Sequence, residues 1–243
     1  MHMRKNIKIL LYELSILVII LFSFIIGCSY PNLTVYEYDG KHIVVNFLDK
    51  DSAFGYIQNS NYTQRMNRLN ISLRLDEDLN CIDRKDEVKA HDKFIRENIK
   101  DWDGYEKHIV WGALEDAIGK LDTFSPAIIP DTLFFISTSM RLEFNAFFTV
   151  KKAICVPSSV VWPLLFGDLI ERKIVHELFH IYSRYNKPQR DSLYAIFNFY
   201  NADTIIAGKL LSTKMIYNPD GHSNNYVLRL EDASGELQDL FLA

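Results

Sequence analysis

At 243 residues, nearly half of them apolar, the chain is long enough for one core-forming domain or two small lobes. A net charge of −4 makes the chain a poor candidate for nucleic acid, because phosphate recognition needs concentrated positive charge. Three cysteines are too few for a disulfide scaffold, although Cys81 and Cys155 can pair in an exported protein.

The first residues carry Arg4, Lys5 and Lys8, followed by an apolar run from Leu14 to Ile26 in which only Ser15 and Ser23 are polar. The run is short for a membrane span of about twenty residues and suits the apolar region of a signal peptide. Ile25-Ile26-Gly27-Cys28 then resembles a bacterial lipobox. That resemblance implies cleavage before Cys28, lipid attachment to Cys28 and an extracytoplasmic protein anchored to a bacterial membrane. Residues 1–27 are therefore expected to be a lipoprotein signal peptide and residues 28–243 the folded domain. An uncleaved anchor helix and a signal cut elsewhere are the alternatives, and both also put the domain outside the cytoplasm.

Leu33–Tyr38 and His42–Phe47 flank Asp39-Gly40, a hairpin pattern with its turn dipeptide. From about Tyr62 to Leu121 the pattern is helical and charged. Helices are expected over Asp86–Ile99 and Tyr105–Leu121, where apolar residues recur at helical spacing. Thr132–Ser137 reads as a buried strand. Phe147–Val150 and Ala153–Val156 read as a hairpin around Lys151-Lys152. A helix is expected over Phe166–Tyr185, broken at Asn186-Lys-Pro188, and a second over Gln189–Phe199. Asn218–Gly221 reads as a turn, and Tyr226–Leu230 and Leu237–Leu242 as strands. An end inside a strand is what a shortened form of a longer protein would show. His42, His91 and His108 have no partner at ligand spacing.

The helix over Phe166–Tyr185 contains His176-Glu177-Leu178-Phe179-His180. Residues four apart share a helical face, so both imidazoles can meet one metal ion with Glu177 beside them. Ile170, Ile174, Val175, Leu178, Ile181 and Tyr182 form the apolar stripe, and the histidines fall next to it, so the helix can pack while they line a cleft. Two histidines and a carboxylate that deprotonates water held by a metal make the arrangement of a zinc hydrolase.

With the hairpin upstream, this motif resembles the core of the zincin metallopeptidases. The resemblance implies an α+β, zincin-like fold in which a small mixed or antiparallel sheet lies over the HExxH helix, with additional helices. It also implies Zn2+ as cofactor and a peptide or protein substrate bound along an edge strand, for which the Phe147–Val156 hairpin is the candidate. A catalytic zinc site needs a third protein ligand. The metzincin pattern is excluded, since Ser183 and Asn186 stand where it needs glycine and histidine. The gluzincin pattern meets Tyr200 at its usual place, leaving Glu231 as the first downstream glutamate. The aspzincin D-x-x-Y pattern is matched by Asp191-Ser-Leu-Tyr194, but Gln189-Arg190 stand where that family has Gly-Thr. On this resemblance Asp191 is the favoured third ligand and Tyr194 the stabiliser of the tetrahedral intermediate. Glu231, Asp203, Asp220 and His222 remain alternatives. Two functions stay open: a lipid-anchored zinc metallopeptidase using Glu177 as base, and an inactive zincin-like lipoprotein acting as a binding module.

Overall fold

A computed structural model of the chain describes residues 31–38, 41–80, 82–160, 167–202, 213–221 and 226–241. Cys28 and the expected leader, Asp39-Gly40, Cys81, Asp203 and His222 lie outside them. Among the described residues no helix is long and apolar enough to cross a membrane.

The fold is mixed α+β. Strands β1 (Leu33–Tyr38) and β2 (Lys41–Phe47) pair antiparallel, as the hairpin pattern requires. Three helices follow: α1 (Lys50–Gln58), α2 (Arg68–Leu75) and α3 (Arg84–Asn98). Asp49, Asn67 and Asp83 cap them, each side chain accepting a backbone N–H three residues on. Short β3 (Ile99–Lys100) leads to α4 (Gly104–Phe124), which opens on a capping box of Asp103 and Glu106. Strands β4 (Thr132–Thr138), β5 (Phe148–Val150) and β6 (Ala153–Pro157) come next. Helices α5 (Gly167–Tyr185) and α6 (Lys187–Ala195), then β7 (Phe199–Asn201), β8 (Tyr226–Glu231) and β9 (Leu237–Phe241), complete the order.

The main sheet runs β1-β2-β4-β6-β5, with β3 added to the end of β4. β2, β4 and β6 are parallel, whereas β1 and β5 are antiparallel to their neighbours. The pleat divides the core into two layers. Leu133 and Phe135 of β4 and Ile154 and Val156 of β6 pack against α4 and α5, and the alternate residues Ile136, Ala153 and Cys155 face α1, α2 and α3. Burial on both faces explains why β4 reads as a continuous apolar run. Cys155 is a buried free thiol, and His91 is packed in the α1–α3 layer beside Tyr62 and Phe94.

The expected second helix is shifted and shortened: α6 begins at Lys187, because Pro188 fits a first helical turn, whose N–H groups need no partner within the helix. It ends in tight turns through Asn198, whose positive φ redirects the chain into β7. Strands β7, β8 and β9 form a separate three-stranded antiparallel sheet. The helix α1 has no counterpart in the sequence reading.

Candidate metal centre

The apolar stripe of α5 determines where its polar face lies. Ile170, Ile174, Leu178 and Ile181 are buried against the sheet and α4, so His176 and His180 emerge at the side of the helix. Their Nε2 atoms face each other at 2.9 Å, with the rings nearly perpendicular. A hydrogen bond between them uses one proton; a cation satisfies both lone pairs.

Asp220 arrives from a distant part of the chain. Glu177, His180 and Asp220 each offer a ligand atom within 4.8 Å of the others. The segment carrying Asp220 is held by α2: Asn67 and Asn70 donate to the Met215 carbonyl at 3.0 and 2.9 Å, the Tyr217 N–H donates to Asn70, and Arg74 donates to the Tyr217 carbonyl. The expected turn at Asn218–Gly221 is present, with the Asn218 side chain accepting the Asp220 N–H and its carbonyl accepting the Gly221 N–H.

Edge strand β5 then orients the carboxylate. Asp220 Oδ1 accepts the backbone N–H of Thr149 at 2.6 Å and its hydroxyl at 2.8 Å. The same hydroxyl accepts Arg184 Nη2 at 2.7 Å, and Arg184 also donates to the carbonyls of Lys151 and Pro219. Arg184 stands four residues after His180, so His176, His180 and Arg184 share one face of α5. Sequence reasoning overlooked Arg184 and Thr149. The i+4 spacing could have found Arg184; Thr149 has no local signal.

Burial, then the nearby Asp220 charge, raises the Glu177 carboxyl to about 8. Its Oε2 is buried without a hydrogen-bond partner, an unusual cost for a native polar atom. Burial holds His180 below the usual histidine value against the opposing charge of Asp220, with His176 and Arg184 adding to the lowering, a direction that favours the lone-pair form a metal needs. Nitrogen and carboxylate donors converging beside an unsatisfied carboxyl oxygen fit a zinc ion, which takes His nitrogen and Asp or Glu oxygen readily.

Asp191 accepts a hydrogen bond from the Tyr226 hydroxyl and pairs with Arg190. Tyr194 packs edge-on against Tyr226, with ring centroids 4.9 Å apart. Thus α6 directs the expected Asp191–Tyr194 pair at β8, and the carboxylate brought to His180 is that of Asp220. Glu231 ends β8 opposite Leu237. The chain matches no protein-family model, no curated protein and no solved structure, so the geometry of the site carries the functional reading.

Proposed function

We propose that the chain is a zinc-dependent metallopeptidase of the cell envelope, with His176, His180 and Asp220 holding the metal. The observation that carries this reading is the convergence on His180: its Nε2 faces that of His176 at 2.9 Å, and Asp220 and Glu177, whose Oε2 has no partner, each offer a ligand atom within 4.8 Å of one of its ring nitrogens. Zinc at such a site supplies a Lewis acid and an acidified water. Glu177 would accept a proton from the attacking water and return it to the leaving amine; burial keeps this carboxyl protonated up to about pH 8 in the metal-free protein, so the role requires the charge of a bound cation to bring its proton affinity back down. The position of β5 at the edge of the sheet, antiparallel to β6, supports the zincin-like comparison and an extended substrate backbone bound beside it. The lipobox-like Ile25–Cys28 supports a lipid anchor at Cys28.

One observation favours the second reading, a metal-holding binding module without turnover. The Thr149 N–H that β5 turns away from β6 is already taken by Asp220, which removes one donor from an incoming strand. The two readings separate in one experiment. Full-length protein in detergent is analysed for zinc and tested on a peptide library, with Glu177→Gln and His180→Ala beside it. The peptidase reading expects about one zinc per chain in the first two, none in His180→Ala, and cleavage only by the unaltered chain. Zinc without Glu177-dependent cleavage supports the binding module, and no zinc in any of them rejects both.

A further inference from the structure

A cavity of about 360 Å³ opens along the outer side of β5, bounded by Thr149, Lys151, Arg65, Arg184, Tyr185 and Tyr217. It shares Thr149 with the candidate metal centre, since this lining residue also binds Asp220. Its volume falls in the lower part of the range of small-ligand sites, roughly 300–1,000 Å³, which suits a side chain or chain terminus rather than a folded partner.

The charge of this cavity is one-sided. Arg65, Lys151 and Arg184 contribute three cations, none of which forms a direct ion pair among the described residues, against one nearby carboxylate, Asp220, which lies behind the Thr149 hydroxyl from Arg184. Lys151 is committed elsewhere, donating to the Asn59 carbonyl and lying over the Tyr56 ring, so it adds field more than contact. Burial lowers the proton affinity of Arg184, the Asp220 charge opposes this, and the Arg65 guanidinium adds a smaller repulsion. The acids that face this region are engaged: Asp220 by Thr149, and Glu143, behind Tyr62, by Arg74 and the Tyr62 hydroxyl. Three cations against the single Asp220 carboxylate leave a positive surplus that favours an incoming anion, and guanidinium groups match carboxylates in geometry.

We propose that this cavity is an anion subsite that takes a carboxylate of a peptide lying along β5, either a Glu or Asp side chain or a free C terminus. The peptide is supplied by the metallopeptidase reading; the preference for an anion stands on the cavity alone. Arg65 binds the carboxylate, Arg184, held by Thr149 and the carbonyls of Lys151 and Pro219, fixes the positive charge behind it, the tyrosines form its walls, and Thr149 ties the occupied subsite to Asp220.

The test uses full-length Glu177→Gln protein in detergent, loaded with zinc, and fluorescence anisotropy of short labelled peptides. One set is capped at both ends and scans Glu against Gln at each position; a second has no acidic side chain and a free or amidated C terminus. At least one Glu position, or the free terminus, is expected to bind about tenfold tighter than its neutral counterpart at low salt, with the preference shrinking in roughly 0.5 M salt. Whichever set shows the preference identifies the source of the carboxylate. Arg65 is exposed, so Arg65→Gln leaves the core intact and is expected to reduce the preference to threefold or less, with zinc content unchanged. Equal binding of acidic and neutral peptides, no binding of any peptide, or a preference undiminished in Arg65→Gln overturns the subsite. A protein that holds no zinc yet shows the Arg65-dependent preference keeps the subsite and loses the peptidase reading.

Discussion

Thr149→Val tests whether the hydrogen-bond chain from Arg184 through Thr149 to Asp220 serves a metal. The replacement keeps the β-branched shape in a buried position of β5 and removes only the hydroxyl. Asp220 Oδ1 retains the Thr149 N–H at 2.6 Å and loses the second donor at 2.8 Å, so its carboxylate keeps its place but not its orientation. Loss of such a partner behind a ligand typically weakens metal affinity by roughly 10–100-fold, or about 1.4–2.7 kcal/mol. Arg184 loses one of three acceptors, the carbonyls of Lys151 and Pro219 remaining. A hydrogen bond to a charged group contributes roughly 1.5–3 kcal/mol, and the lower end applies where other acceptors survive. The metal-free protein should therefore be about 1.5 kcal/mol less stable in urea. Chelator competition measures the first effect and chemical unfolding the second. Unchanged zinc affinity together with lost stability would refute the argument, because the chain of bonds would then be structural and Asp220 no ligand.

Three further outcomes are expected. Asp220→Ala should weaken zinc binding at least as strongly as Thr149→Val, whereas Asp191→Ala should leave it unchanged, since Asp191 is bound to Tyr226 and Arg190; elemental analysis of both variants decides, and the opposite pattern restores the D-x-x-Y assignment. Glu177 is held protonated by burial, so between about pH 4.5 and 8 the metal-free fold binds more protons than the unfolded chain and its stability falls as pH rises through that window. The slope contributed by this group is at most ~1.4 kcal/mol per pH unit and should vanish in Glu177→Gln; parallel profiles for the two proteins would contradict it. Arg74 is buried with Glu143, forming two charge-assisted hydrogen bonds, so Arg74→Met should cost about 3–5 kcal/mol by leaving a carboxylate unpaired, and a urea midpoint near that of the unaltered chain would argue against it.

The sequence by itself determined what local periodicity can encode. The i+4 spacing of His176 and His180 puts both imidazoles on one side of a helix wherever that helix lies, and the stripe from Ile170 to Ile181 selects the side that meets the core. The alternating or continuous apolar runs of β1, β2, β4 and β6 were legible for the same reason, as was the turn at Asn218–Gly221. Tertiary structure alone decided which carboxylate lies near His180. Asp191 has a suitable spacing from His180, but spacing does not set the direction in which α6 leaves α5, and that direction turns the Asp191 side chain towards β8. Asp220 is remote in sequence and comes to His180 only because side chains of α2 hold the segment before it and Thr149 of edge strand β5 receives its carboxylate. Those bonds depend on the register of β5 against β6 and on α2 packing on the sheet face away from α5. Such long-range relations leave no periodic trace in the chain, because they arise from how elements pack and not from the repeat within any one of them.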